Sequence, residues 1–180
     1  MRRTLVLVAA LVISGCGGGG DTVKGPPPSA PEKIRLTSAV LHAGSAIPKR
    51  FTCDGDGTSP PLRWAGVPGA AKELALLVED PDAPGGTFVH WVVLRMRPSL
   101  HGVPEGRVPG GAIQAIQSFG DKGYGGPCPP KGNEAHHYVF TLYALDRRLG
   151  LDAGAGPDKV RSAINGAAIT KGTLQATYAR

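Results

Sequence analysis

His137-Tyr-Val-Phe-Thr-Leu-Tyr-Ala-Leu145, closed by Asp146, is built from aromatic, β-branched and aliphatic side chains. Such residues suit a pleated, half-buried surface, and the run predicts a strand. Working outward, Thr87-Phe-Val-His-Trp-Val-Val-Leu94 has the same character. Glu73-Leu-Ala-Leu-Leu-Val78 is a short apolar run stopped by Glu79-Asp80-Pro81, as expected of a buried strand. Residues 34–42 alternate before an apolar end and predict a first strand, and Thr173-Leu-Gln-Ala-Thr-Tyr178 predicts a last one. One segment reads as helical. Pro157 and Asp158 suit a first helical turn, Val160, Ala163, Ile164, Ala167 and Ala168 follow at helical spacing, and Gly172 marks the end. Residues 51–70 and 98–135, dense in Gly and Pro, read as long loops of the kind that carry function.

A length of 180 residues favours one domain. With 27 Gly and 17 Pro, an all-helical bundle is disfavoured, because both residues are poor in helix interiors. The expectation is a mainly β domain with a small helical addition near the C-terminus.

The N-terminus has its own logic. Met1-Arg2-Arg3, an apolar run from Thr4 to Ile13 and then Ser14-Gly15 predict a signal peptide over 1–15. The run is shorter than the ~20 residues that span a bilayer. Ile13-Ser14-Gly15-Cys16 resembles the bacterial lipobox, which implies lipidation of Cys16 and an envelope or periplasmic, membrane-anchored location. The alternative is an ordinary signal peptide with an incidental cysteine. Residues 16–33 hold Gly17–Gly20 and Pro26-Pro-Pro28, and read as a flexible tether before a domain over 34–180. Removing residues 1–15 leaves 18 basic against 14 acidic residues, spread without the clustered basic face of a nucleic-acid binder. Cys53 and Cys128 then form an even pair, which in an exported chain invites a disulfide; the alternative is two buried thiols.

Three polar clusters could carry chemistry. Cys53-Asp-Gly-Asp-Gly-Thr-Ser-Pro-Pro61 places Asp54 and Asp56 at calcium-loop spacing, but Ser59 replaces the required glycine and Ala65 the final glutamate, so an EF-hand is excluded. Asp80-Pro-Asp-Ala-Pro-Gly-Gly86 makes a stiff corner after a strand and leads to His90-Trp91. The third cluster runs from Phe119 through Gly123-Tyr-Gly-Gly-Pro-Cys-Pro-Pro-Lys-Gly132 to His136-His137-Tyr138. Strand alternation puts His136 and Tyr138 on one face and His137 on the other, so an imidazole and a phenol share a side. Zincin, nucleophile-elbow and P-loop motifs are absent.

Asp80-Pro-Asp-Ala-Pro84, His90, the Pro-Pro-Lys-Gly132 stretch and His136-x-Tyr138, in this order, resemble the phosphatidylethanolamine-binding proteins, also called Raf kinase inhibitor proteins. The Cys53–Pro61 and Gly123–Pro130 versions are similar to the bacterial YbhB/YbcL type. The resemblance implies a sandwich of two antiparallel sheets with small peripheral helices and a small anion pocket at one end. That pocket would be lined by Asp80, Pro84, His90, Gly126, Pro129, His136 and Tyr138, with Asp80 orienting a histidine and Asp54 and Asp56 supporting a loop. It implies no cofactor and no metal. Gln117-Ser118-Phe119 departs from bacterial relatives, and His137 stands where eukaryotic members carry arginine.

The expected function is non-enzymatic binding of a small anionic or phosphorylated ligand. A kinase or protease inhibitor acting on a protein partner through the pocket rim is the alternative, and a hydrolase using Asp80, His90 and His136 a third.

Overall fold

The computed structural model describes residues 20–180, so the signal peptide over 1–15 and Cys16 lie outside the described residues. In chain order the strands are β1 (Arg35–Thr37), β2 (Leu62–Ala65), β3 (Glu73–Asp80), β4 (Phe88–Met96), β5 (Gly102–Val103), β6 (Ile113–Gln114), β7 (His136–Leu145) and β8 (Ala168–Tyr178). Among the described residues there is one helix, α1 (Pro157–Asn165), which precedes β8, and one 3-10 turn, over Lys49–Phe51. All strand pairs are antiparallel, in a three-stranded sheet ordered β1-β2-β5 and a five-stranded sheet ordered β6-β4-β3-β7-β8.

The larger sheet is buried on both faces, which explains why its central strands read as near-continuous apolar runs. Leu74, Leu76, Val78, Trp91, Val93, Phe140 and Leu142 pack against Leu36, Leu62 and Trp64 of the smaller sheet. On the opposite face Ala75, Leu77, Val92, Leu94, Tyr143 and Leu145 pack under Val160 and Ile164 of α1. Each Leu, Val, Ile or Phe side chain among them contributes roughly 1.5–3 kcal/mol on burial.

Several elements differ from their sequence reading. The first strand covers only Arg35–Thr37. There Ser38 turns the chain, its hydroxyl donating to the Pro61 carbonyl at 2.6 Å and accepting from the Val40 amide at 3.2 Å. The acids after Val78 do not stop β3, which pairs through Asp80 with Phe88 and ends where Pro81 removes a donor. The helix ends at Asn165, not at Gly172, which sits inside β8. A side chain at Gly172 would collide with the Ile34 carbonyl, and this close approach explains the glycine. The long loops also hold β2, β5 and β6.

Residues 20–33, part of the segment read as a tether over 16–33, are docked along the domain as a strap. Val23 is buried and bridges Thr87 through paired backbone bonds of 2.9 and 3.1 Å. Arg161 of α1 donates to the carbonyls of Lys24 at 3.2 Å and Gly25 at 3.1 Å. Tyr143 donates to Pro28 at 3.2 Å and Thr170 to Pro31 at 2.7 Å. Prolines cannot extend a sheet, but their carbonyls remain acceptors, and these side chains use them.

Cys53 and Cys128 are bridged across 75 positions, with Cα atoms 5.4 Å apart. A loop of that length contributes roughly 4–5 kcal/mol in the chain-entropy treatment.

Candidate functional site

Three neighbouring strands end side by side at one edge of the five-stranded sheet: β4 brings Phe88 and His90, β3 brings Asp80, and β7 brings His136 and Tyr138. The β3–β4 register slips there: Val78 faces Trp91 and Glu79 faces Val89, so His90 is the extra residue of a bulge. A bulge of this kind re-aims a side chain, which lets His90 and Trp91 both turn toward the inter-sheet side. The result is a cleft of about 260 Å³.

Six of the seven residues expected to line a pocket do so: Asp80, Pro84, His90, Pro129, His136 and Tyr138. Gly126 does not line it. Its Cα faces the Thr52–Cys53 backbone, and a Cβ there would lie 3.0 Å from the Thr52 carbonyl carbon, so the glycine lets two loops close beside the disulfide. Phe88, Phe119, Pro130, Gly20 and Thr22 also line it. Alternation along β4 puts Phe88 beside His90 and could have found it; nothing in the strap's composition signals Gly20 and Thr22.

Each polar group is held in a definite state. Asp80 and His136 are both buried, and His136 Nδ1 lies 2.8 Å from Asp80 Oδ2. The other oxygen of Asp80 accepts from the Asp82 amide at 2.9 Å. The carboxylate therefore fixes a proton on Nδ1 and leaves Nε2 for a ligand. His90 Nδ1 lies 2.8 Å from the Gly125 carbonyl, which can only accept, so this nitrogen carries the hydrogen. Burial pushes the His90 imidazole down to about 4, against the opposing pull of the Gly125 carbonyl and the Asp80 charge. At neutral pH its Nε2 is consequently a lone-pair acceptor. Tyr138 is fully buried, and its hydroxyl, with the Asp80 side chain and the Cys128 backbone within reach, makes no well-aligned hydrogen bond among the described residues. Burial, reinforced by the Asp80 charge, pushes this phenol up, so it remains an O–H donor.

The walls are aromatic. Phe119 meets Phe88 edge-on at 4.6 Å between ring centroids and His90 at 5.6 Å, while His90 meets Tyr138 at 5.2 Å. Beside them, His137 points to solvent as alternation requires, and its Nδ1 lies 2.8 Å from Asp82 Oδ2. Asp54 accepts from the Tyr178 hydroxyl at 2.7 Å and pairs with Arg180 at 3.1 Å, tying its loop to the C-terminal strand. Asp56 is paired with Arg50 at 3.6 Å, exposed and away from the cleft. Among the described residues no three His, Cys, Asp or Glu side chains are grouped to hold a metal ion. Chemically, two imidazole Nε2 atoms and one phenol offer acceptors and a donor together. That set matches a partly protonated oxyanion, whose acidic hydrogen goes to an imidazole while a charged oxygen takes the phenol hydrogen.

Residues 37–179 match the family model described as phosphatidylethanolamine-binding protein. A UPF0098 protein of Methanothermobacter thermautotrophicus is 46% identical over 152 residues, which is 82% of this chain and 99% of the relative. "Putative lipoprotein LppC" of Mycobacterium tuberculosis is 40% identical, across 97% of this chain and 92% of its own length. Among solved structures, Escherichia coli YbcL, described as a new member of the mammalian PEBP family, superposes with a TM-score of 0.79 at 31% identity, covering 82% of this chain and 99% of YbcL. The PEBP homologue CT736 of Chlamydia trachomatis gives 0.76 at 37% identity, covering 83% and 99%.

Proposed function

The chain belongs to the phosphatidylethanolamine-binding protein family, and from that membership we propose that it is a non-enzymatic, extracytoplasmic binding protein, anchored through lipid on Cys16. Its ligand is a small anionic or phosphorylated group held between His90, His136 and Tyr138. The observation that carries this reading is the Tyr138 hydroxyl, buried, without a well-aligned hydrogen bond among the described residues and at the wall of a cleft. Leaving a buried hydroxyl without a partner costs roughly 1–3 kcal/mol, a cost that a bound oxygen would remove. The paired imidazoles beside it supply the complementary acceptors. The lipoprotein name of LppC and the signal-like N-terminus support the anchor.

Calorimetric titration of the chain with phosphate, phosphoethanolamine and phosphoserine tests the reading. Saturable heat that is lost in His136→Ala is expected. Absence of heat with all three ligands, in protein shown to be folded, would overturn it.

A further inference from the structure

Two features of the cleft mouth bear on where its ligand comes from. The first is the strap. Gly20 and Thr22 form part of the cleft wall, and Thr22 and Lys24 both donate to the Gly85 carbonyl on the adjoining corner. The Asp21 amide donates to the Ser118 carbonyl at 3.0 Å. A side chain at Gly20 would run into the Phe88 ring at 2.7 Å, so this residue is wedged against the cleft's aromatic wall. Cys16 lies four residues before Gly20. Even fully extended, four residues reach only about 14 Å. A domain of this size is roughly 40 Å across, from a radius of gyration near 15 Å. The leash is thus too short to carry an anchor to the far end of the molecule.

The second feature is Phe119, 48% exposed and the one large exposed hydrophobic side chain among the described residues. It stands on the same rim. An exposed aromatic ring at the point where an anchor leaves the domain is suited to the headgroup region of a bilayer.

We propose that the cleft opens directly onto the bilayer that carries the Cys16 anchor, with Phe119 seated in the interface, and takes a phosphate-bearing head group from that same leaflet. This rests on the lipid anchor and the anion site proposed above. It adds an orientation and a source. Tethering at this range raises the local ligand concentration to the millimolar scale, so a site of modest intrinsic affinity is filled at the membrane.

The test uses the full mature chain, acylated at Cys16, in phosphatidylcholine vesicles whose acyl chains are brominated near the head group. Trp64 and Trp91 are buried, so a Phe119→Trp variant adds an interfacial fluorophore. Arg97→Trp places the control just past the opposite end of β4, about 30 Å away by strand rise. Emission from the indole added by Phe119→Trp should shift to the blue and be largely quenched, and emission from the indole added by Arg97→Trp should not change. A second arm titrates inorganic phosphate into the acylated chain in phosphatidylcholine or in galactosyl-diacylglycerol vesicles. Head-group occupancy should weaken added phosphate by about tenfold or more only in the phospholipid.

Equal phosphate affinity in both lipids would assign the cleft to free phosphate and overturn the proposal. So would quenching at residue 97, or at neither position, the latter leaving the rim to a protein partner. Missing acyl mass on Cys16 would overturn it through the anchor, and missing phosphate heat in an unacylated Cys16→Ser chain through the anion site.

Discussion

His136 Nδ1 stands 2.8 Å from Asp80 Oδ2 with both side chains buried, and the next residue along repeats the contact in solvent, His137 Nδ1 lying 2.8 Å from Asp82 Oδ2. Equal geometry carries unequal weight. The inner pair orients a ring that lines the cleft, whereas exposed pairs contribute about 0–1 kcal/mol. Asp80→Asn should therefore weaken phosphate binding by about tenfold or more, since the ring loses its fixed tautomer and its charged partner. Asp82→Asn should leave phosphate affinity unchanged and cost under about 1 kcal/mol in urea unfolding. Calorimetry on both variants, with nitrogen chemical shifts of the His136 ring as the tautomer readout, checks the contrast. Equal losses in the two would sink it.

Tyr138→Phe separates binding from stability. The hydroxyl makes no well-aligned hydrogen bond among the described residues, so its removal should leave Tm within about 2 °C. The same change should weaken phosphate binding. A variant with lower Tm would show instead that the hydroxyl serves the fold.

The fold was legible wherever both faces of a strand are buried. His137–Leu145 and Glu73–Val78 carry apolar residues on both sides because sheet and helix cover the two faces, and such runs announce themselves. Gly172 misled because its role is tertiary: helical spacing up to Ala168 followed by glycine looks like a helix end, but the Ile34 carbonyl decides the residue. Alternation puts His136 and Tyr138 on one face, whereas Asp80 joined them only through the family resemblance. The bulge at His90 was not legible, because one slipped register leaves no compositional mark. The strap was illegible for a similar reason, since most of its bonds use backbone groups, which every residue has.

His90 predicts a specific acid sensitivity. Its imidazole lies at about 4 in the folded chain, against an ordinary 6.5, so the unfolded chain takes up the proton first as pH falls. The neutral, buried ring thus contributes fully above about pH 6.5, and the contribution is lost as pH drops toward 4, by about 3 kcal/mol in total. His90→Gln removes this titration. Urea midpoints for the native chain should fall more steeply than those of the variant between about pH 6.5 and pH 4. Parallel curves would mean that His90 is protonated equally in both states.

The strap yields the last prediction. Arg161 and Glu79 are both buried and approach to 3.0 Å as an ion pair without hydrogen-bond alignment, while the same guanidinium holds the Lys24 and Gly25 carbonyls. Burial pushes Glu79 up, and Arg161 opposes that shift. A chain beginning at Ile34 loses Val23 from the helix-side core and Gly20 and Thr22 from the cleft wall. It should unfold at lower temperature than a chain beginning at Gly17 and bind phosphate more weakly. Arg161→Met in the longer chain should be worse for stability, because it strands a buried carboxyl, at about 3–5 kcal/mol. It should also raise hydrogen exchange at Val23, whose amide bonds to Thr87. If the shorter chain matched the longer one in Tm and phosphate affinity, the strap would be a passive leash and the cleft complete without it.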